Sequence, residues 1–565
     1  GLEMAYVSPD GEGGFPGEMK VKLTYTLTAD NVWRLAYEAT ADQATPINLT
    51  HHIYFNLSGE RRAPVTNQIV TLAASAYTPV GPDMIPTGEI RSVEGTDFDF
   101  RRPTAVGARM DGAYDHNYCL DSKDGSLAFA AKGPKGAEVK ILCGQELAAD
   151  GSVRHKMRAN CDYVEKFVLS GKDRDILDQF DYKSFRYAEL LPADGVRIDP
   201  SSVALVARHM PFELKAKRNF TDPRLEPVWK LCVDSFRYGV QEQIQDCMDR
   251  EKGYYLGDGC YTMITYCRLT KNWAWARRFF DDFLRTAKVD RGLVTCANCS
   301  FMQEIAEYPF MFVWFARAYL EETGDAEFVR ARFDAFADIL DSYRERYARA
   351  DGLLVNLDKW CVVEWPKNFQ DGYDADVREG KVCTDVHNAV NAWYVIAVRS
   401  LNAMAARLGR APYADVKPLE RAFRDAFWDG SRHLFVDREG SDHVSLPGNV
   451  YATFGRLPPP DDPAAHAAFL ALVKEKGYSS ISMFQFFPLF CHLRATGEEA
   501  LLHDLLVSPE AWLRNLREGG TRTFEGWGRD TKWNTSLFHL TIASAAVFLT
   551  DVRLSLPEGL SNALR

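Results

Sequence analysis

The sequence predicts a multidomain protein in which all-β segments precede an all-α (α/α)6 barrel. The length of 565 residues exceeds what one hydrophobic core supports, so several domains are expected. Short alternating apolar runs, separated by Gly, Pro and Asp, fill the first part of the chain. From about residue 225 onward, apolar residues recur at helical spacing. These observations divide the chain into β-rich and helical parts.

The composition excludes some partners. The net charge of −11 argues against nucleic acid, whose binding needs clustered Lys and Arg. No run of eighteen apolar residues occurs, so no membrane partner is expected. The scattered cysteines read as reduced thiols and favour the cytoplasm, although the sequence fixes neither compartment nor oligomeric state. The chain opens without an initiator Met, and we expect the native N-terminus to lie upstream.

The first 140 residues are predicted to be all-β. Lys20–Leu27 alternates apolar and polar residues, and Val32–Thr40 reads as the returning strand of a hairpin. Further strands are predicted at Gln68–Ala73 and Leu127–Ala131. Turn residues at roughly ten-residue spacing favour a sandwich.

This segment resembles galactose mutarotase, the aldose 1-epimerase family. The resemblance rests on motifs in family order: SPDGEGGFPG, TPINLTHHIYFNLSG, IPTGEI, DFDFR and YDHNY. It implies a supersandwich fragment in which His52 is the catalytic acid and Asp115 binds sugar hydroxyls. His51 stands where the motif has Asn, and the family's basic Glu segment is not found. Because mutarotation needs both an acid and a base, we expect this module to be truncated and inactive.

Residues 141–220 are predicted to form a β-sandwich domain. Phe180–Leu190 resembles the β-domain that precedes the catalytic domain of bacterial α-L-rhamnosidases, glycoside hydrolase family seventy-eight. Its alternating aromatics are equally typical of plain sandwich core. The boundary is placed near 220, where Thr221 or Asp222 can cap a helix before Pro223.

The rest of the chain, 221–552, is predicted to be helical, with 553–565 as a tail. Sequential helical hairpins suggest six inner and six outer helices, with the site in the funnel at one end. A helical solenoid competes, but no fixed short repeat is visible. The predicted helices are 226–245, 259–269, 271–287, 302–322, 326–348, 386–408, 413–428, 445–456, 463–475, 482–496, 498–517 and 533–549.

Two stretches carry the candidate chemistry. Asp246–Asp258 (DCMDREKGYYLGD) combines four carboxylates with glycines and tyrosines, and Thr521–Trp527 (TRTFEGW) is a second such stretch. A solvated acidic loop is the alternative interpretation of the first. Glycosidic cleavage with inversion needs an acid and a base carboxyl roughly 6.5–9.5 Å apart. The first and last helices of an (α/α)6 barrel are neighbours, so Glu251 and Glu525 can face each other.

These stretches resemble the motifs of bacterial α-L-rhamnosidases. The D-C-P-x-R-E motif matches Asp246 onward, with Met248 in place of Pro, and T-x-x-W-E-x-W matches with Phe524 in place of Trp. The resemblance implies Glu251 as general acid and Glu525 as general base, without cofactor or metal. Glu364–Trp365–Pro366 resembles a loop whose Trp lines the sugar subsite. The residues expected to bind substrate are Asp246, Arg250, Asp258, Tyr255, Trp365, Trp527 and His539.

Structural roles compete for several of these residues. Asp246 and Asp258 can cap helices, Arg250 can pair with either, and His539 can be a satisfied core histidine. The acid role of Glu251 requires a raised pKa, which nearby carboxylates and partial burial would produce. Lys252 and Arg250 would oppose it if they approached, and the sequence does not decide between these effects.

The sequence therefore predicts an inverting glycosidase that removes terminal α-L-rhamnose from glycosides. The alternatives are a non-catalytic carbohydrate-binding protein and an (α/α)6 glycosidase for another sugar. Two carboxylates argue against a mere binder. The few basic residues in these stretches argue against an acidic sugar.

Overall fold

A computed structural model gives the fold of the chain. It describes residues 2–12, 16–27, 33–45, 47, 65–81, 86–109, 114, 116–121, 129–132, 138–168, 182–192, 208–293, 295–297, 304–363, 365, 371–378 and 381–550.

The chain forms two compact units. The first comprises residues 1–137 and 168–178, and the second comprises 138–167 and 179–565. The second unit therefore holds the β-rich residues around 140–167 together with the helices. The boundaries placed at 140 and 220 stay predictions.

The described residues of the first unit form three three-stranded sheets, in the orders β1-β2-β3, β7-β4-β9 and β6-β5-β8. The predicted hairpin is confirmed, because β2 and β3 pair antiparallel with Leu23 opposite Tyr37. The predicted strands near 70 and 130 also pair, with Val70 opposite Ala131. The strands are β1 Leu2–Ser8, β2 Met19–Leu27, β3 Trp33–Ala41, β4 Ile69–Leu72, β5 Ala74–Thr78, β6 Arg91–Ser92, β7 Thr104–Ala105, β8 Asn117–Leu120 and β9 Phe129–Lys132.

The second unit begins with a small sheet of β10 (Glu138–Gly144), β11 (Val164–Val168) and β12 (Tyr187–Pro192), in the order β11-β10-β12. A minor core of Cys143, Met157 and Tyr163 packs beneath it. Gln145, directly after β10, and Tyr163, directly before β11, form hydrogen bonds with Asp249 of the helical domain.

Twelve α-helices follow in the described part of the second unit, with two short antiparallel ladders. They are α1 Leu225–Gly239, α2 Leu256–Thr270, α3 Ala274–Leu284, α4 Tyr308–Thr323, α5 Ala326–Tyr347, α6 Asn388–Arg407, α7 Lys417–Phe427, α8 Leu446–Phe454, α9 Ala465–Lys476, α10 Phe486–Ala495, α11 Glu499–Leu506 and α12 Trp512–Arg517. The ladders are β13 Tyr254–Tyr255 with β14 Cys296–Ala297, and β15 Trp428–Asp429 with β16 Leu434–Phe435.

The helices close into a ring. Helices α2, α4, α6, α8 and α10 pack in sequence, and the 3₁₀ helix Thr541–Leu549 packs against both α10 and α2. Every residue of α2 is buried, as expected for a helix surrounded by protein. The alternate helices α3, α5, α7 and α9 each pack on an inner helix from outside. The predicted (α/α)6 barrel is confirmed, and no described helix meets the length and hydropathy needed to cross a membrane.

Four predicted helices differ from those observed. The predicted helix 226–245 ends already at Gly239, and the predicted helix 302–322 begins only at Tyr308. The predicted helix 498–517 is divided into α11 and α12, because Pro509 cannot continue a helical hydrogen-bond ladder. The predicted helix 533–549 begins only at Thr541. The residues before it use their backbone groups to pair with other loops, including that of Asp246.

Candidate active site

The loop between α1 and α2 places two carboxyl groups side by side. Asp246 and Gly253 close it, since the Asp246 N–H donates to the Gly253 carbonyl at 2.9 Å and the Gly253 N–H donates to Asp246 Oδ1 at 2.7 Å. Lys252 adopts a left-handed conformation with φ of 51°, which turns the chain back. The side chains of Asp246 and Glu251 consequently meet in a hydrogen bond.

A second loop, between α12 and the last inner helix, is joined to the first by backbone hydrogen bonds. The Met248 N–H donates to the Phe538 carbonyl, and the Leu540 N–H donates to the Asp246 carbonyl, both at 2.9 Å. Glu525 lies in this second loop, where its N–H donates to the Ser536 carbonyl at 3.0 Å. The two predicted motifs, distant in the chain, thus come together.

Arg250 lies between the two candidate catalytic carboxylates. Its Nη1 and Nη2 donate to the two oxygens of Glu525 at 2.8 and 2.7 Å, and its Nε donates to Glu251 at 2.9 Å. Nη1 also donates to the Asn534 carbonyl at 3.0 Å. These contacts make Arg250 a bridge between carboxylates, and its expected contact with substrate stays a prediction. One guanidinium group separates Glu251 from Glu525.

Glu525 is an ionised, almost fully enclosed carboxylate. Its side chain is 1% exposed, and Lys532 Nζ lies 2.6 Å from Oε1. Burial opposes ionisation, but the charges of Lys532 and Arg250 lower the pKa of Glu525 to about 2. Lys532 was missed from the sequence, because nothing marks one lysine among many as the partner of a buried glutamate.

The pKa values of Asp246 and Glu251 are shifted in opposite directions. Burial and the charge of Glu251 raise the pKa of Asp246 well above its ordinary value. Burial also acts against ionisation of Glu251, but the hydrogen bond from Asp246 and the charge of Arg250 lower its pKa. The acid role required a raised pKa on Glu251, and the sequence left open whether the neighbouring basic residues would prevent it. The structure assigns the raised pKa to the neighbouring carboxyl, because Arg250 approaches Glu251.

His539 and Asp258 lie beside this pair. The Thr541 N–H donates to His539 Nδ1 at 3.3 Å, which leaves the ring Nε2 3.9 Å from Asp246 Oδ2. Burial lowers the pKa of His539 to about 4, so the ring is neutral. Asp258, in the first turn of α2, accepts hydrogen bonds from Tyr308 at 3.0 Å and Thr541 at 2.6 Å. These bonds join the starts of three inner helices, and burial raises the pKa of Asp258 to about 6.

The three aromatic residues that were expected to bind substrate have different surroundings. Trp365 is partly buried, with Lys532 Nζ 4.2 Å from its ring centroid. Tyr255 is 9% exposed and pairs through its backbone with Cys296. Trp527 is 1% exposed, and its indole N–H donates to the Ile481 carbonyl at 2.5 Å. This placement gives Trp527 a role in the core.

Two residues beside the strands of the small sheet support the α1–α2 loop through Asp249. Gln145 Nε2 donates to Asp249 Oδ2 at 2.8 Å, and the Tyr163 hydroxyl donates to the Asp249 carbonyl at 2.6 Å. Ser536 Oγ from the second loop donates to the same carboxylate at 2.7 Å. Asp249 was recognised only as one acid of a cluster. Its partners lie far away in the chain, so sequence alone gives no signal for this role.

One group of potential metal ligands occurs among the described residues. Ligand atoms of Asp246, Cys247 and Glu251 lie within 4.8 Å of one another. Burial raises the pKa of the Cys247 thiol well above its ordinary value, so the sulfur is protonated. The Glu251 carboxylate is already paired with Arg250. A protonated thiol and an occupied carboxylate make a poor donor set for a cation.

The mutarotase-like candidates His52 and Asp115 lie outside the described residues. Described residues of that unit form an aromatic cluster in which Tyr77 stacks on Phe98 with ring centroids 4.2 Å apart. The assignments of His52 and Asp115 stay predictions.

Comparison with protein families divides the chain into three matches. Residues 1–139 match the aldose 1-epimerase family, and residues 122–208 match the concanavalin-like domain of bacterial α-L-rhamnosidases. Residues 219–552 match the six-hairpin glycosidase domain of bacterial α-L-rhamnosidases.

Curated relatives match the N-terminal part. Galactose mutarotase of Rattus norvegicus is 45% identical over 147 residues, which is 25% of this chain and 42% of that protein. Aldose 1-epimerase of Escherichia coli K12 is 38% identical over 135 residues, which is 22% of this chain and 39% of that protein. The chain thus spans less than half the length of these relatives.

Solved rhamnosidases share the fold at low identity. The α-L-rhamnosidase of Aspergillus terreus has a TM-score of 0.61 and 16% identity, covering 94% of this chain and 63% of that one. A family seventy-eight rhamnosidase of Bacillus sp. GL1 has a TM-score of 0.59 and 16% identity, covering 74% and 44%. The rhamnose-bound rhamnosidase of Klebsiella oxytoca has a TM-score of 0.56 and 13% identity, covering 97% and 96%.

Proposed function

We propose a glycoside hydrolase activity from the premise that the chain belongs to the bacterial α-L-rhamnosidase six-hairpin glycosidase family, whose domain covers residues 219–552. The proposed reaction is inverting hydrolysis of terminal α-L-rhamnose from a glycan or glycoside. The observation that carries it is the meeting of Glu251 and Glu525 across Arg250.

Glu525 is proposed as the general base. A base must be ionised before the reaction, and Lys532 and Arg250 hold the pKa of Glu525 low enough for that. In the proposed step Glu525 takes a proton from water while the water oxygen bonds to the anomeric carbon.

Glu251 is proposed as the general acid, with Asp246 as its proton store. Glu251 is 29% exposed in its side chain, whereas Asp246 is buried behind it at 4%. The proton held on Asp246 first crosses the hydrogen bond to Glu251, and Glu251 then passes it to the departing glycosidic oxygen and becomes a carboxylate again. This relay lets a carboxyl with a lowered pKa deliver a proton, because its neighbour supplies that proton.

Three further side chains are proposed to contact the sugar. Asp246 and His539 lie beside Glu251, and Trp365 lies across Lys532 from Glu525. The 6-methyl group of rhamnose suits an aromatic wall such as Trp365. Two rhamnosidases with this fold were solved with rhamnose bound, which supports the same sugar class here.

The test is release of p-nitrophenol from p-nitrophenyl α-L-rhamnoside. Glu251→Gln and Glu525→Gln should each lose about 10²–10⁴-fold in kcat, the usual contribution of a general acid or base. Glu475→Gln, at an exposed glutamate of α9, is the matched control and should keep the wild-type rate. A wild-type protein that binds rhamnose without turnover would instead indicate a carbohydrate-binding protein. If the protein hydrolysed a glycoside of another sugar but not the rhamnoside, it would be a glycosidase specific for that other sugar.

A further inference from the structure

All acceptor positions of the Glu525 carboxylate are occupied. Oε1 accepts from Arg250 Nη2 at 2.7 Å and is 2.6 Å from Lys532 Nζ. Oε2 accepts from Arg250 Nη1 at 2.8 Å and from the Ser536 N–H at 2.9 Å. An ionised carboxylate offers about four lone-pair sites. Glu525 therefore has to lose one partner before it can accept a proton from water.

Two of the three partners are firmly held. The Ser536 N–H belongs to a loop in which Ser536 Oγ also donates to Asp249 at 2.7 Å. Arg250 binds Glu525 through both Nη atoms and adds bonds to Glu251 at 2.9 Å and to the Asn534 carbonyl at 3.0 Å. Moving either would break several hydrogen bonds at once.

Lys532 is the partner that can leave. It makes a single contact with Glu525 through an ammonium on a flexible stem, and its side chain is 13% exposed while that of Glu525 is 1% exposed. Its ammonium also lies 4.2 Å from the centroid of the Trp365 ring. The covered face of Trp365 is thus the face nearest to Glu525. A sugar ring that stacks there has to displace the ammonium.

We propose that Lys532 is a positioning residue that caps Oε1 of Glu525 in the free protein and leaves it when a sugar occupies the covered face of Trp365. Water then takes the vacated position. Its proton goes to Oε1, its oxygen bonds to the anomeric carbon, and the leaving oxygen departs with a proton from Glu251. This inference rests on the proposed hydrolase function and adds that substrate binding uncovers the base.

The cap also keeps the carboxylate ionised. Among the described residues, the charged or titratable groups that interact with Glu525 include Arg250, Lys532, the neutral His539, and the carboxyls of Asp249 and Glu251. Without Lys532, Arg250 is the only full cation in this set. Removal of the lysine should therefore raise the pKa of Glu525 as well as open Oε1.

The kinetic test compares Lys532→Met with Lys532→Arg on p-nitrophenyl α-L-rhamnoside across pH. Lys532→Met should move the acid limb of kcat/KM upward by about 1–3 pH units, the usual influence of one nearby opposite charge. Its kcat above that limb should stay within about tenfold of wild type, since the base is uncovered. Lys532→Arg keeps the charge, but a guanidinium can hold the carboxylate through two hydrogen bonds and so leaves it less readily. The value of kcat should therefore fall while the acid limb of kcat/KM stays in place.

An acid-unfolding titration tests the cap without any turnover. Glu525 has a lowered pKa in the folded protein, so its stabilisation is present above the ordinary value and is lost as pH falls toward the folded value. Lys532→Met should therefore begin to unfold at a higher pH than wild type by tryptophan fluorescence. Lys474→Met, at an exposed lysine of α9, is the control and should follow wild type.

The two readouts separate the cap from the hydrolase function. An unchanged acid-unfolding curve, an unchanged acid limb in Lys532→Met, or full activity in Lys532→Arg would overturn the cap. If wild type is inactive but Lys532→Met still unfolds at a higher pH, the contact by which Lys532 keeps Glu525 ionised stands. That result would overturn both the hydrolase function and the uncovering of Glu525 by substrate.

Discussion

Glu307 gives a prediction about stability that is independent of catalysis. This residue precedes α4 and is 3% exposed. Its Oε1 accepts from the Val362 N–H at 2.7 Å, while among the described residues its Oε2 has no hydrogen-bond partner. Burial raises the pKa of Glu307 to about 7. Glu307→Gln keeps the acceptor for Val362 and removes the ionisation.

The size of the effect follows from the two pKa values. The unfolded chain releases this proton near 4.5 and the folded chain near 7, so the folded state binds more protons between them. Stability therefore falls as pH rises through that window. The difference of about 2.5 units, at 1.36 kcal/mol each, gives about 3 kcal/mol. Glu307→Gln should be more stable than wild type by that amount at pH 8, but by less than about 1 kcal/mol at pH 5.

Urea unfolding of both proteins at pH 5 and pH 8 measures this difference. Glu475→Gln, at an exposed position of α9, controls for the loss of one negative charge and should show little change at either pH. An equal effect of Glu307→Gln at both pH values would refute the ionisation argument. A loss of stability at pH 8 would show that the buried carboxylate is favourable.

Two further substitutions test packing and charge in the barrel. Arg250→Met removes both guanidinium hydrogen bonds to the buried Glu525. Breaking such a buried pair should lower the free energy of unfolding in urea by about 3–5 kcal/mol. Retention of wild-type stability would contradict the pairing. Gly257→Ala places a Cβ 2.4 Å from the Tyr308 ring and should cost about 1–3 kcal/mol, whereas Gly430→Ala, with its nearest atom at 3.8 Å, should be neutral. Equal stability of the two alanine variants would mean that the ring moves freely.

Much of the fold was predictable because its signals are local. Helical periodicity predicted eight of the inner and outer helices close to their observed bounds, for example 326–348 for the observed Ala326–Tyr347. The predicted helix 533–549 begins later than expected, at Thr541, for a tertiary reason. Thr531–Leu540 forms loop contacts with the α1–α2 loop, such as the Leu540 N–H to the Asp246 carbonyl, that no local pattern encodes.

The candidate acid and base were predictable, but their proton states were not. Residue type and motif singled out Glu251 and Glu525, whereas the pKa of each depends on which charges lie within a few ångströms. Arg250 is adjacent to Glu251 in sequence yet binds Glu525 from the opposite end of the domain. Lys532 and Asp249 acquired their roles only when the loops were brought together.

The most direct test of the two-carboxylate account is the anomer that hydrolysis releases first. Proton NMR should follow wild-type cleavage of p-nitrophenyl α-L-rhamnoside from the first minutes, before free rhamnose equilibrates. Water activated by Glu525 on the opposite ring face should release β-L-rhamnose first. Initial release of α-L-rhamnose would mean retention, and would contradict the role of Glu525 as the base that activates water.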